Sequence, residues 1–260
     1  GNSIAGSQPV PAGVGGLTQT VGSAWDGTYS TNKKTFNRTA WTVGANYEIT
    51  DGFAVYGRYA KGFQTNNTDT PTGVVLYEAG ARFNSEVLTA QATLFQTNFN
   101  NQFYGFIDPI NPAIQGAFLG DLRTKGVEVD ANLRPSEFFS IDAVAVFQDP
   151  NLKDIFINGV ATPSFDGNRP ERTPKTLITI TPSVHLPNDL GEIYGRYKRV
   201  GNIFADAGNG LALPGYGVTS LGAILNVSER VQVTFNADNV FGVTGVTEGN
   251  PRQGQTQSLS

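Results

Sequence analysis

Apolar and polar residues alternate with a period of two along most of this chain, and helical periodicity is nearly absent. Trp41, Val43, Ala45, Tyr47 and Ile49 alternate with Thr42, Gly44, Asn46 and Glu48. Leu88, Ala90, Ala92 and Leu94 alternate with Val87, Thr89, Gln91 and Thr93. Val127, Val129, Ala131 and Leu133 alternate with Thr124, Gly126, Glu128, Asp130 and Asn132, and Val231, Val233, Phe235 and Ala237 with Gln232, Thr234, Asn236 and Asp238. Side chains two apart lie on the same face of a strand, so each segment predicts a strand with one apolar and one polar face. About ten strands are predicted, near 38–49, 52–62, 74–83, 86–98, 119–133, 137–148, 173–186, 191–204, 215–227 and 229–241.

The connections alternate short and long. The short ones are Thr50-Asp51, Asn84-Ser85, Arg134-Pro135-Ser136, Pro187-Asn188-Asp189 and Val227-Ser228; the long ones are 63–73, 99–118, 149–172 and 205–214. A soluble sandwich has no reason to alternate loop lengths, whereas a barrel spanning an outer membrane has short periplasmic turns and long external loops. Strands of about 9–12 residues also suit a tilted bilayer crossing. The apolar faces carry almost no charge, and the opposite faces hold Glu48, Glu78, Arg82, Glu128, Asp130, Asp142 and Asp238. A charge at mid-bilayer on the lipid side of a barrel costs about 2–4 kcal/mol, so this segregation predicts an apolar face toward lipid and a wet, polar lumen. Asn236 joins the lumenal set. Aromatic residues near strand ends, among them Trp41, Tyr59, Phe83 and Tyr216, predict interfacial girdles.

Composition narrows the field. Charged residues make up 15 % of the 260 residues, and Cys is absent, which removes disulfides, thiolate metal sites and cysteine nucleophiles. A net charge of −4 offers no basic field for nucleic acid. No apolar run reaches the length of a membrane helix, but a closed barrel needs none. The one histidine, His185, reads as a lumen or rim residue, and Asp149, Asp154 and Asp166 as solvated loop carboxylates. No catalytic set, metal-ligand spacing or cofactor motif is found, so neither an enzyme nor a cofactor is expected. Glu128 and Asp130 are expected to pair with Arg82, Arg58 or Arg196 across the wall. Contact with whatever fills the lumen, or with a substrate moving through it, is the alternative. The 99–118 loop offers Asn100, Asn101, Gln102, Phe103, Tyr104 and Asp108 for substrate, aromatics beside amides being able to stack on a sugar or an iron chelate.

Several stretches resemble the barrel of TonB-dependent receptors. Tyr47 to Phe63 is similar to one of its hairpins, as are Tyr77-Glu78-Ala79-Gly80 and Leu94 to Phe99. Thr124 to Val129 resembles its Gly-hydrophobic-Glu strand, Arg172 to Lys175 a Pro-Lys strand entry, and Pro214-Gly215-Tyr216 with Asn236 to Gly242 its last hairpin. Val240 and Gly242 replace the commoner Leu and Asp there. The resemblance covers about residues 38–250 in family order. It implies an all-β, antiparallel up-and-down transmembrane β-barrel in the bacterial outer membrane. About ten strands of an expected ~22 are present. Residues 1–37 would be an extracellular loop segment, 38–241 a partial barrel, and 242–260 the start of the last extracellular loop, with the closing strand, the plug and the TonB box outside this stretch. The implied partners are outer-membrane lipid and lipopolysaccharide, a plug domain, the TonB complex, and a ligand such as a siderophore. The implied activity is import of a scarce nutrient. A passive porin or autotransporter barrel and a soluble all-β binding module are the alternatives.

Overall fold

A computed structural model of the chain describes residues 35–65, 71–107, 115–157 and 160–245; side chains are described outside 105–107 and 115–117. The unit Arg38–Ser260 is a run of strands: β1 (Trp41–Thr50), β2 (Phe53–Gln64), β3 (Thr72–Asn84), β4 (Leu88–Ile107), β5 (Gln115–Ser136), β6 (Phe139–Ile157), β7 (Val160–Ala161), β8 (Thr176–Leu186), β9 (Gly191–Val200), β10 (Ile203–Phe204), β11 (Ala212–Leu213), β12 (Tyr216–Ser228) and β13 (Val231–Ala237). One sheet takes the order β1-β2-β3-β4-β5-β6-β8-β9-β12-β13, every neighbouring pair antiparallel, with β7 added to the end of β6 and β10–β11 forming a separate small ribbon. This is an up-and-down wall, open among the described residues. Residues 1–34 of the expected segment 1–37, residues 246–260 of the expected segment 242–260, and Asp108 lie outside those residues.

Register assigns the faces. One face carries the rows Val43–Tyr59–Tyr77 and Leu94–Val127–Phe147; the other carries Arg58–Glu78 and Arg82–Gln91–Asp130. No second sheet covers the apolar side: Leu94 is 64 % exposed and Tyr47 69 %. Directly beside Leu94 on the opposite face, Thr93 is only 8 % exposed. Such crowding belongs to the inside of a sheet that curves toward its polar face. Glycines help it curve. Tyr56 lies over Gly80, Phe95 over Gly126 and Tyr194 over Gly222, each ring within 2.5 Å of where a Cβ would stand. The aromatic rings of the polar face thus nest on bare backbone of the next strand.

Most strand bounds fall within a few residues of those predicted, and three differences have physical causes. The first turn is Asp51-Gly52, with Gly52 at φ +86, a conformation that favours glycine. Pro135 lies inside β5 at a register shift between Leu133 and Ser136, where a missing N–H is tolerated. The largest correction concerns the 99–118 and 149–172 loops. β4 continues to Ile107, β5 begins at Gln115 and β6 ends at Ile157, so much of both predicted loops is strand. Asn101 (φ 56) makes the bulge that lets β4 continue, and Asp121 on β5 holds it by accepting from Asn100 Nδ2 (2.6 Å) and the Asn101 amide (3.0 Å).

Above this bulge the polar side becomes apolar. Phe118, Leu152, Ile155 and Ala207 form a buried cluster, with Tyr104, Ile157 and Phe165 packed on it. Tyr104 stacks on Phe118 at 4.9 Å, and Phe165 meets Phe118 edge-on at 6.3 Å. The outer face changes the opposite way. Above Leu94–Val127–Phe147 come the rows Gln96–Lys125–Asp149 and Asn98–Arg123–Asn151. The simple alternation of the sequence therefore holds over the membrane-height rows and reverses beyond them.

Candidate functional site

Two regions of the polar side carry most of its chemistry. The first is a 310 Å³ groove lined by Tyr56, Arg58, Glu78, Arg82, Gln91, Thr93, Glu128 and Asp130. The strand register builds it: Arg58 stands opposite Glu78, and Gln91 lies between Arg82 and Asp130. Arg58 Nε donates to Glu78 at 2.5 Å, and Arg82 Nε to Gln91 Oε1 at 3.2 Å. Tyr56 and Thr93 share a hydrogen bond of 2.5 Å, and Gln91 Nε2 donates to Tyr56 at 3.1 Å. The expected pairing of Glu128 and Asp130 with these arginines does not occur. Arg58 is taken by Glu78, Arg82 by Gln91, and Arg196 lies on β9 beside Tyr194, at 5.7 Å from its ring centroid. Among the described residues Glu128 and Asp130 have no charged partner.

The remaining predicted polar residues are spread over the same face. Glu48 stands opposite Ala54 on β1. Asp142 accepts from Asn132 Nδ2 at 2.6 Å, and Asn236 accepts from the Tyr194 hydroxyl at 2.6 Å. Asp238 lies one residue beyond β13. Near the short turns, His185 Nε2 is 2.9 Å from Ser140 Oγ, and His185 Nδ1 is 3.6 Å from Glu192. The order resembles a serine-histidine-acid set, but Ser140 is 2 % exposed. A nucleophile must reach its substrate, so this is a cross-strand lock tying β6, β8 and β9.

The second region is a cap over the ends of β5 and β6, which the sequence presented as two separate loops. Residues 162–175 and 201–215 are joined by a dense set of bonds. Asn209 Nδ2 donates to the Arg169 carbonyl (2.8 Å) while its Oδ1 accepts from the Arg169 amide (2.9 Å). Arg169 Nη1 donates to the Asn202 carbonyl (2.7 Å), and its guanidinium lies 4.6 Å from the Phe204 ring centroid. Asn168 Nδ2 donates to the Ala207 carbonyl (3.0 Å) and the Arg172 amide to that of Phe204 (2.9 Å). Burial pushes the Arg169 guanidinium below its ordinary value and the half-buried Glu171 carboxyl above its own.

Of the predicted substrate residues, Asn100 and Asn101 are spent on Asp121. Tyr104 is packed in the cap cluster, its hydroxyl buried without a partner and its pKa raised by that burial. Phe103 is exposed on the outer side, in register with Leu119. Phe103 and Tyr104 thus stand on opposite faces of β4. Arg169 and Asn209, the residues that organise the cap, carried no sequence signal, because each finds its partner about one loop away in space and far away in the chain.

Asp149, expected in a loop, lies on β6, where Lys175 and Asn151 hold its carboxyl below the usual carboxylate range. A carboxyl with a lowered folded pKa contributes stability above its unfolded value near 3.8 and loses it as pH falls through the folded value. The pair is more than half exposed, so the loss is at most about 0.5 kcal/mol. Acid titration of amide exchange at Gln148, whose N–H bonds the Lys175 carbonyl, should show this in the wild type and not in Asp149→Asn.

A single-layer antiparallel wall with one apolar face and a crowded polar face belongs to the class of outer-membrane β-barrels. The profile of the family described as "TonB dependent receptor-like, beta-barrel" matches residues 15–240, and the chain belongs to this family, whose members are bacterial outer-membrane proteins. No curated protein matches the sequence. Among solved structures, the ferric yersiniabactin uptake receptor FyuA from Yersinia pestis aligns with TM-score 0.63 and 21 % identity over 80 % of this chain and 33 % of its own. The ferric-catecholate import receptor Fiu from E. coli K12 gives TM-score 0.65 and 20 % identity over 95 % of this chain and 36 % of its own. The siderophore receptor PiuA from Acinetobacter baumannii gives TM-score 0.64 and 19 % identity over 80 % of this chain and 32 % of its own. The chain thus spans about a third of the length of these structures.

Proposed function

We propose that this chain is part of the barrel wall of a receptor that imports a scarce nutrient across the outer membrane, using energy delivered by a TonB complex to a plug inside the barrel. The nutrient is an iron–siderophore complex, cobalamin or an oligosaccharide. The siderophore class is favoured by the names of FyuA, PiuA and Fiu. Residues 38–241 are the wall, residues 1–37 part of an external loop, and 242–260 the start of the last one. The observation that carries the reading is the one-sided distribution of charge from the row Leu94–Val127–Phe147 down to the short turns. Glu48, Glu78, Arg82, Glu128, Asp130, Asp142 and Asn236 share the crowded face, which is the lumen, while the exposed apolar face meets lipid. The uncompensated Glu128 and Asp130 then face the plug, where a cation is the natural counterpart.

Uptake assays on cells carrying the full-length protein test this. Accumulation of radiolabelled ferric siderophores should depend on the gene and fall to the level of the deletion strain when a protonophore collapses the inner-membrane potential. Uptake that persists without that potential would replace active import with passive diffusion.

A further inference from the structure

Asn209 clasps the two halves of the cap, and the residue after it is glycine. Both ends of its side-chain amide are spent on the other loop. Nδ2 donates to the Arg169 carbonyl at 2.8 Å, and Oδ1 accepts from the Arg169 amide at 2.9 Å. Nδ2 also lies 3.3 Å from the Asp206 carbonyl. The Asn209 backbone is left-handed, with φ 58, a conformation that asparagine tolerates. Gly210 donates its amide to one oxygen of the Asp206 carboxylate at 2.8 Å, and Leu211 donates to the other at 2.7 Å.

An asparagine followed by glycine is the least hindered place for a backbone nitrogen to attack a side-chain amide, because glycine has no Cβ to block the approach. In that reaction the Gly210 nitrogen gives its proton to solvent base and bonds to Asn209 Cγ. The Cγ–Nδ2 bond breaks, Nδ2 leaves as ammonia with a proton from water, and a cyclic succinimide remains. Water then opens the ring at one carbonyl or the other, leaving aspartate or isoaspartate at position 209. The sum is amide plus water to carboxylic acid plus ammonia, and nothing is oxidised or reduced. In the closed cap neither partner is ready. Two bonds to Arg169 fix the Asn209 amide away from solvent attack, and the Gly210 proton is held by a carboxylate, beside which an amide anion is disfavoured.

We propose that Asn209–Gly210 is a deamidation site guarded by the clasp it makes: it reacts only when the cap opens, and its product keeps the cap open. In the aspartate product a carboxylate oxygen replaces Nδ2. It faces the Arg169 and Asp206 carbonyl oxygens, which are acceptors with no donor left between them. Isoaspartate also adds a methylene to the backbone inside the tight loop that Asp206 folds. Either product costs the clasp, so the loop that holds Ala207 on Phe118, Leu152 and Ile155 is released. The change is covalent and one-way. The modified fraction therefore records how long the cap has stood open.

The test uses the full-length receptor, folded in detergent and incubated in mildly alkaline buffer. Deamidation of the peptide carrying Asn209 is followed by mass spectrometry, with enzymatic methylation of isoaspartate as a second readout. Folded wild type should react at least about 30-fold more slowly than the same protein unfolded in urea. Arg169→Ala leaves the Asn209–Gly210 step intact and should raise the folded rate roughly 30-fold, the factor by which it raises the open population. Gly210→Ala should suppress the reaction in folded and unfolded protein alike, and the folded cap accepts it, since the added Cβ would meet only the Asp206 carboxylate oxygens at 3.6 and 3.9 Å. Asn209→Asp supplies the product directly and should speed amide exchange at Arg172 and Ala205, whose bonds to Phe204 and Leu211 report the cap. Equal rates in folded and unfolded wild type would overturn the guard. A rate unchanged by Arg169→Ala would overturn gating by the cap, and unchanged exchange in Asn209→Asp would overturn the claim that the product holds it open.

Discussion

Replacing Gly191 with alanine is expected to prevent the full-length receptor from reaching its heat-modifiable, folded form, or to leave it destabilised by about 4 kcal/mol. Gly191 begins β9 after the turn Pro187–Asp189, with φ +130, where an L side chain is strained. An added Cβ would stand 1.9 Å from the Ile224 carbonyl oxygen and 2.8 Å from its carbon. Both are backbone atoms, so no rotamer change relieves the clash; β9 and β12 must separate. They are held there by two further bonds, Asn226 Nδ2 to the Asp189 carbonyl (2.7 Å) and the Asn226 amide to that of Leu190 (2.9 Å). Gly62→Ala is the matched control, since nothing lies within 4 Å of its Cβ position in β2. Urea titrations of the two variants in the same detergent decide the matter. If they unfold at the same urea concentration, close approach at Gly191 is not what fixes this turn.

Arg169→Ala is expected to loosen both halves of the cap together. The substitution removes the hydrogen bond from Nη1 to the Asn202 carbonyl and the contact with Phe204. These are worth about 2–3 kcal/mol in a partly buried setting, offset by relief of an Nε that is buried without a partner. A net loss of about 2 kcal/mol corresponds to roughly 30-fold faster amide exchange through local opening. The reporters are the amides of Arg172, bonded to Phe204, and Ala205, bonded to Leu211. Acceleration at both, with Val127 and Val129 unchanged, is the expected pattern. Acceleration confined to the 162–175 segment would mean that the two loops open independently.

The parts of the fold that could be read from the sequence are those governed by neighbours two residues apart. Within the membrane rows, burial in lipid on one side and water on the other imposes alternation, so Leu94 against Thr93 or Val127 against Glu128 needed no knowledge of partners. Where the requirement ended, so did the legibility. Asn100-Asn101-Gln102 has the composition of a loop, yet it is a bulge in a continuing strand because Asp121 reaches it from β5. The cap depends on Arg169 finding Asn209 and Phe204, which composition does not announce. The expected partner of Glu128 was wrong for a related reason. Alternation gives the face of each charge but not its register, and register sets Arg58 directly opposite Glu78.

The reversal of polarity on the outer surface also fixes how deep the wall can sit. Sliding it two residues toward the periplasm would drag Lys125 and Asp149 into the zone occupied by Leu94, Val127 and Phe147, and raising it by two would lift those apolar side chains into water. A submerged cation costs about 2–4 kcal/mol at mid-bilayer, and less near the surface. The boundary works as a waterline painted on the hull. In a thicker membrane the lipids would have to thin around this protein, because the protein itself cannot sink to meet them.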